Sequence, residues 1–201
     1  MKTFNTLGYE VVPNAIDGFT AKLLATEFEM LRDNTYRENN VDLSKVGLSN
    51  DWQVKNCFSW YSPYCFESLL LLMKPVIEEV TGKKLLPAYS YARIYYNGAT
   101  MQKHVDRESC QYSVSITIDV DESGPWEIWM SSFDGKVKSL VLPVGSMVVY
   151  RGDKLEHWRE DPYQGKKQIQ AFLHYVDTEG EYKHYALDFR PMLGAPSVKR
   201  S

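Results

Sequence analysis

Two histidines and one aspartate have the residue types and the spacing that a mononuclear metal site needs. His104 and Asp106 stand two positions apart, and His157 lies far downstream. In a β-strand, residues i and i+2 point to the same side, so His104 and Asp106 can reach one ion together. Two imidazoles and one carboxylate form the ligand set of mononuclear Fe(II) centres whose opposite face stays open for substrate and oxygen.

By itself a His-x-Asp tripeptide is a weak signal, because short motifs of this kind often occur by chance. The chain contains 4 histidines, and a given histidine is more often a hydrogen-bonded structural group than a ligand. The metal-site interpretation therefore depends on what surrounds His104 and His157.

Length and composition are typical of one soluble domain. The chain has 201 residues, of which 44% are hydrophobic and 24% are charged, and its formal net charge is -3. No apolar stretch approaches the ~20 residues that cross a bilayer, and the first residues lack the apolar core of a signal peptide. The absence of a long basic run argues against a dedicated nucleic-acid binder. We therefore expect a cytoplasmic protein without a membrane partner.

The three cysteines, Cys57, Cys65 and Cys110, show no metal-binding spacing. Their odd number and the absence of a C-x-x-C pair fit a reduced intracellular chain. We predict that they are small buried hydrophobic residues, neither metal ligands nor nucleophiles.

The first part of the chain, residues 1–84, is predicted to be a helical support region with one opening strand at 9–12. Asp17 or Thr20 can cap a helix that runs through Arg32, and residues 33–56 have the composition of a long loop. A second helix is predicted to begin at Ser62 and Pro63 and to end at Gly82, with Pro75 kinking or dividing it.

From residue 85 the pattern changes to short alternating strands separated by glycine and proline turns, which is typical of a sandwich or barrel. We predict strands up to 182–187 and a loose tail at 190–201. The expected fold is mainly β, a double-stranded β-helix (jelly roll, cupin-like) over 85–189 with the N-terminal helices packed on it. A jelly roll can bring residues 104, 106 and 157 together at its mouth, whereas a simple hairpin cannot.

Four separated stretches resemble the 2-oxoglutarate/Fe(II)-dependent dioxygenases of the prolyl-4-hydroxylase-like group, and they occur in the right order. They are the opening strand 8–12, the strand and turn 89–98 with Lys-His-Val-Asp-Arg at 103–107, the glycine turn and strand 143–152, and Glu-His-Trp-Arg-Glu at 156–160 followed by Gly-Lys-Lys at 165–167.

The resemblance implies which residues hold the 2-oxoglutarate co-substrate. In that group a Lys or Arg about ten residues after the distal histidine pairs with the far carboxylate, a position that Lys167 occupies, with Lys166 as its rival. A tyrosine before the His-x-Asp motif assists, which implies Tyr96, with Tyr91 and Tyr95 as alternatives. Residues that orient the imidazoles are also expected, and Glu156, Glu160 and Gln111 are candidates.

The resemblance further implies an enzyme that binds Fe(II) through His104, Asp106 and His157 and uses 2-oxoglutarate and O2. It would hydroxylate an unidentified substrate, either a small molecule or a protein side chain, and release succinate and CO2. The alternative is a cupin-like metal- or ligand-binding module without redox activity, because a fold does not fix a function. A zinc hydrolase is a third hypothesis, since two histidines and an aspartate also hold zinc.

Overall fold

A curled antiparallel sheet of nine strands forms the body of the protein in the computed structural model, which describes residues 3–39 and 53–195. The helices are α1 (Thr3–Leu7), α2 (Gly18–Glu38) and α3 (Tyr64–Thr81). The strands are β1 (Tyr9–Val12), β2 (Val54–Tyr61), β3 (Leu85–His104), β4 (Tyr112–Val120), β5 (Ile128–Ser131), β6 (Val137–Leu140), β7 (Met147–Tyr150), β8 (His157–Arg159) and β9 (Lys167–Asp177). Short 3-10 turns lie at Glu108–Cys110 and within Lys183–Phe189.

The order of the strands is that of a jelly roll, as predicted. Neighbouring strands follow the path β1-β7-β4-β9-β3-β8-β5-β6, and β2 pairs with β3 outside this path. Strand β3 is 20 residues long and pairs with β9 through its first part and with β8 through its last part. This one strand therefore connects the two halves of the sheet.

The two faces of the sheet carry two different apolar clusters. The helices pack on one face, where Phe28 and Phe66 meet strand residues such as Ile94 and Leu173. The other face is the interior of the jelly roll, and its cluster includes Tyr95, Tyr150 and Phe172. Because side chains alternate along a strand, β3, β7 and β9 each contribute to both clusters.

The helices follow the predicted signals with different lengths. Asp17 caps α2, since its Oδ1 accepts a hydrogen bond from the Thr20 backbone N–H at 2.9 Å, and the helix continues six residues beyond Arg32. Residues 33–38 are therefore helical and not part of a loop; residues 40–52 lie outside the described part of the chain. Residues 54–56 are not loop either, because they begin β2, a second strand in a region for which only the opening strand was predicted. Helix α3 contains Pro75 inside one continuous element, and Gly82 ends it in the left-handed conformation with φ 68.

Two other predictions about local structure were wrong. Ser62 does not cap α3, whose N-cap position is Pro63 without a side-chain hydrogen bond. Residues 182–187 form no strand but part of the 3-10 segment Lys183–Phe189, in which Leu187, Asp188 and Phe189 all have positive φ. None of the helices in the described residues is long and apolar enough to cross a membrane.

A buried ion pair fastens the segment after β9 to the helical face. Arg190 Nη1 lies 3.0 Å from Glu67 Oε2, and the two side chains are 0% and 4% exposed. Arg190 also donates hydrogen bonds to Ser62 Oγ and the Ala88 carbonyl, while Glu67 Oε1 accepts two from Ser90. Arg190 was predicted to lie in a loose tail, but it is buried and makes several polar contacts.

We expect Arg190→Met to lower the free energy of unfolding by about 3–5 kcal/mol, because it leaves the Glu67 carboxylate buried without its cation. Urea denaturation followed by circular dichroism measures this change. Lys83→Met is the matched control: Lys83 pairs with Asp177 at 3.0 Å but is 53% exposed, so its loss should cost less than about 1 kcal/mol. Equal losses for the two variants would contradict the structural role of Arg190.

Candidate metal centre

The end of β3 and the start of β8 bring the three predicted ligands together. His104 and His157 are cross-strand partners, and their ring centroids lie 4.3 Å apart. Asp106 follows β3 by two residues, and its Oδ1 lies 3.7 Å from His104 Nε2 and 3.6 Å from His157 Nε2. The three ligand atoms lie within 4.8 Å of one another, so one ion between them would touch all three.

A bulge in β3 aims His104 at this point. The register pairs Met101 with Arg159 and then His104 with His157. Between the two pairs, β3 therefore has one more residue than β8. Continued regular pairing would place Lys103 opposite His157 and turn His104 to the outer side of the sheet. Bulges redirect side chains in this way and are common beside functional sites.

Both imidazoles are oriented by backbone carbonyls. His104 Nδ1 lies 2.8 Å from the Gln102 carbonyl oxygen, and His157 Nδ1 lies 3.0 Å from that of Leu155. A carbonyl oxygen can only accept, so each Nδ1 carries the proton and each Nε2 keeps its lone pair for a metal. Burial lowers the pKa of His104, and the neighbouring His157 lowers it further, which favours the neutral form that binds a metal.

The side chains predicted to orient the imidazoles do other work. Glu156 pairs with Lys103 at 3.7 Å, and Glu160 accepts a hydrogen bond from the Trp158 indole. Gln111 accepts one from the Asp177 backbone N–H. The imidazoles are oriented instead by the Gln102 and Leu155 carbonyls, and each of these belongs to the residue two positions before its histidine.

Asp106 is held on its second oxygen. Ser113 Oγ lies 3.1 Å from Asp106 Oδ2, and the Asp106 backbone N–H donates to the Gly152 carbonyl at 2.8 Å. A Cβ at position 152 would lie 2.4 Å from Ser113 Oγ and 2.6 Å from Asp106 Oδ2. Only glycine fits there, so the backbone of residue 152 closes tightly over the carboxylate.

The triad lines a cavity of about 650 Å³ inside the jelly roll. Its walls are rich in aromatic rings, among them Tyr61, Tyr89 and Phe172, and they include three arginines, Arg93, Arg107 and Arg159. A cavity of this size suits a small organic molecule beside the metal.

At the edge of the cavity, Asp188 fastens the 3-10 segment to two of these walls. Its Oδ2 accepts hydrogen bonds from Tyr61 OH at 2.6 Å and from Arg107 Nη2 at 2.9 Å. Arg107 directly follows the ligand Asp106 in the chain, and its guanidinium lies 4.7 Å from the centre of the Tyr89 ring.

Arg159 and Tyr95 line the cavity, and each carries a buried polar atom without a hydrogen-bond partner. Arg159 is 4% exposed, its Nη1 donates to the Trp126 carbonyl, and its guanidinium lies 5.5 Å from the centre of the Tyr95 ring. Within the described residues, Arg159 Nε and Tyr95 OH are buried without a hydrogen-bond partner. Burial lowers the pKa of Arg159, but a guanidinium stays charged at neutral pH. An acidic group in the cavity would satisfy both atoms.

The structure does not bring the predicted co-substrate residues Lys167 and Tyr96 into the cavity. Lys167 Nζ lies 2.8 Å from both Glu29 Oε1 and Asp119 Oδ2, and Tyr96 accepts a hydrogen bond from Arg32. The two residues are cross-strand partners on the helix-facing side of the sheet.

The reason is the phase of the strands. Odd-numbered residues of β9, such as Ile169 and Leu173, face the helices, whereas Phe172 and His174 face the interior. In β3 the odd-numbered Tyr91 and Tyr95, both considered as alternatives to Tyr96, line the cavity. Lys166, the rival of Lys167, is 86% exposed beside Glu122.

Cys110 lies closer to the centre than its sequence spacing indicates. It forms a second group with Asp106 and His174, with ligand atoms within 4.8 Å of one another, and its Sγ lies 3.1 Å from Tyr89 OH. Burial raises the pKa of Cys110 and lowers that of His174 to about 4, so both are neutral near pH 7. The prediction that the cysteines are neither ligands nor nucleophiles stays a prediction.

Sequence reasoning missed Ser113, Gly152 and His174. Ser113 stands in an alternating strand like any buried serine, and nothing in its neighbourhood marks it as a partner of Asp106. The glycine of Arg-Gly-Asp at 151–153 was the one available signal: it lies in the turn after β7, but its φ is not positive, so the turn itself does not require glycine.

Comparisons with known proteins identify the fold. No protein-family model and no curated protein matches the sequence. Among solved structures, a prolyl-4-hydroxylase from Pseudomonas putida is similar with a TM-score of 0.59 and 12% identity, over 85% of this chain and 94% of that chain. HygX from Streptomyces hygroscopicus, with nickel and 2-oxoglutarate bound, has a TM-score of 0.62 at 12% identity, over 88% and 85%. The α-ketoglutarate-dependent epimerase SnoN from nogalamycin biosynthesis has 0.67 at 11%, over 98% and 90%. The chain therefore has the jelly-roll fold of the 2-oxoglutarate/Fe(II) oxygenases that its motifs resemble.

Proposed function

We propose that this protein is a 2-oxoglutarate- and Fe(II)-dependent oxygenase that hydroxylates a small molecule or a protein side chain. The observation that carries the proposal is the convergence of His104, Asp106 and His157 on one wall of the cavity. Their Nε2 and Oδ1 atoms face one another, and their other polar atoms are already hydrogen-bonded. The solved structures that share the fold support this reaction class, since HygX was crystallised with 2-oxoglutarate and a divalent metal.

The donor set fits Fe(II). Two neutral imidazoles and one carboxylate supply three ligands, and the cavity lies on the remaining side. When bound, Fe(II) supplies the redox chemistry by which O2 oxidises 2-oxoglutarate to succinate and CO2 while one oxygen atom is inserted into a C–H bond of the substrate. The protein holds the ligands, orients the two organic molecules and excludes water.

Arg159 and Tyr95 fit the far carboxylate of 2-oxoglutarate better than the helix-facing Lys167 does. Arg159 follows His157 by two residues on β8, so their side chains point to the same side about 6.5 Å apart. A five-carbon dicarboxylate can bridge such a span, with one end at the metal and the other at the guanidinium. The unused Arg159 Nε and Tyr95 OH would then both gain a charged partner.

The rest of the cavity would receive the substrate. Aromatic walls formed by Tyr61, Tyr89 and Tyr91, with Arg93 and Arg107 beside them, suit an organic molecule with polar or acidic groups. A cupin-like module without redox activity would use the same triad but would form no succinate. Succinate production from 2-oxoglutarate by the iron-loaded protein therefore separates the two hypotheses.

Replacing a ligand should abolish metal binding. We expect the wild-type protein to bind one Mn(II) or Fe(II) per chain, and His104→Ala or His157→Ala to bind none at stoichiometric metal, because two ligands cannot hold the ion. Calorimetric titration with Mn(II) measures this. His184→Ala is the control, since His184 lies in the exposed 3-10 segment and its Nδ1 contacts the Glu181 carbonyl. Undiminished binding by both ligand variants would refute the metal site.

Removing the proposed anchor should weaken co-substrate binding without affecting the metal. A bond between charged groups contributes about 1.5–3 kcal/mol, so Arg159→Met should raise the Kd for 2-oxoglutarate by roughly tenfold to a hundredfold. Tyr95→Phe, which keeps the ring, should act in the same direction with a smaller effect. Calorimetry with the Mn(II)-loaded protein measures both.

Lys167→Met is the matched control and should leave 2-oxoglutarate affinity nearly unchanged, because its ammonium group already pairs with Glu29 and Asp119. If Lys167→Met weakens binding while Arg159→Met and Tyr95→Phe do not, the co-substrate lies elsewhere and the original assignment from the resemblance is right.

A further inference from the structure

We propose that Ser113 and His174 form a positioning pair that fixes which oxygen of Asp106 faces the metal. The inference rests on the proposed metal centre, and it concerns two residues that do not touch the ion. Their hydrogen bonds would form the chain His174 Nδ1–H to Ser113 Oγ and Ser113 O–H to Asp106 Oδ2.

The geometry places Ser113 between the ligand and the histidine. Its Oγ lies 3.1 Å from Asp106 Oδ2 and 2.9 Å from His174 Nδ1. Ser113 is 0% exposed and His174 is 5% exposed. The two residues are also cross-strand partners, Ser113 on β4 and His174 on β9, so the sheet itself sets their separation.

The single hydroxyl proton decides the direction of the chain. Ser113 Oγ is close to Asp106 Oδ2, the Cys110 carbonyl at 3.1 Å, His174 Nδ1 and the Tyr150 hydroxyl. A carboxylate is the strongest acceptor among these groups, and it cannot donate. Ser113 therefore donates to Asp106, and the contact with His174 is satisfied only if the imidazole donates through Nδ1.

The groups around the serine hydroxyl are tightly packed. A Cβ on Gly152 would approach Ser113 Oγ, the Cys110 carbonyl and Asp106 Oδ2 within 2.4–2.6 Å. The ring of Tyr89 covers one side of His174 at a centroid distance of 4.5 Å. The serine hydroxyl and the imidazole are therefore held in place beside the carboxylate.

The consequence concerns the ligand geometry. With Oδ2 engaged by Ser113, Asp106 presents only Oδ1, which lies 3.6–3.7 Å from the two Nε2 atoms. Without Ser113, the carboxylate can turn about its soft terminal torsion and offer both oxygens to the ion. A second carboxylate oxygen would then occupy a position that the co-substrate needs.

The experiment compares Ser113→Ala with Ser115→Ala. Ser115 lies two residues along the same strand, faces the same interior, is also 0% exposed and accepts a hydrogen bond from Gln170 Nε2 at 2.9 Å. Both variants lose one buried hydroxyl, so a general loss of packing or stability should be equal, and thermal unfolding checks this.

We expect Ser113→Ala to weaken Mn(II) binding about tenfold or more, the usual effect of removing a group that orients a ligand, and Ser115→Ala to change it less than twofold. The visible absorption spectrum of the Co(II)-loaded protein should change for Ser113→Ala alone, because it reports the number and geometry of the ligands. His174→Leu should follow Ser113→Ala in direction, and His174→Asn should restore the wild-type spectrum because its amide retains a donor near Nδ1.

Equal Mn(II) affinities and equal Co(II) spectra for Ser113→Ala and Ser115→Ala would overturn the inference while leaving the metal centre intact. Failure of the wild-type protein to bind Mn(II) would instead refute the proposed function and, with it, the positioning pair.

Discussion

The register between β3 and β8 is the constraint on which the whole site depends. His157 begins β8, and the only way to place an imidazole of β3 opposite it is to insert one residue after Met101. The bulge reverses the alternation of β3, so that odd-numbered residues from Tyr89 to Met101 face the interior and His104 does so from an even position. Asp106 then continues on the same side. Strand β3 therefore lines the cavity with odd-numbered residues before the bulge and supplies His104 from an even position after it.

Many polar side chains are buried inside the jelly roll. The jelly-roll interior contains two buried arginines, a serine–histidine pair and buried glutamines, which an apolar core would not need. Most of these groups are satisfied by neighbours: Gln168 and Gln170 are hydrogen-bonded to each other, and Gln170 donates to Ser115. Among the described residues, the buried side-chain atoms without a partner are Arg159 Nε, Tyr95 OH, Tyr163 OH and Asp188 Oδ1, and the first two belong to residues that line the cavity. Unsatisfied groups are costly unless a ligand completes them, which is why we propose Arg159 and Tyr95 as the co-substrate anchor.

Sequence reasoning predicted the fold class and the convergence of the triad, because both depend on coarse features: alternating strands, turn residues and ligand spacing. It did not predict that Lys167 and Tyr96 lie on the helix-facing side of the sheet, because that placement depends on the phase of a strand. A one-residue difference in where β9 begins to alternate sends Lys167 to Glu29 instead of the cavity. No local signal indicates that phase, because residues 165–168 read Gly-Lys-Lys-Gln with no apolar residue to mark the inner face. Ser113 was missed for a different reason, since its partners are distant in sequence and only tertiary packing unites them.

Asp188 and Arg190 join the segment after β9 to the edge of the cavity and to the helical face. Tyr61 on β2 and Arg107 in the loop after β3 both donate hydrogen bonds to Asp188. Glu67 on α3 forms its ion pair with Arg190, which lies more than a hundred residues later in the chain. A chain that ends before residue 188 would therefore lack the acceptor that joins Tyr61 to Arg107 at the cavity edge, and one that ends before residue 190 would also leave the Glu67 carboxylate buried without its cation.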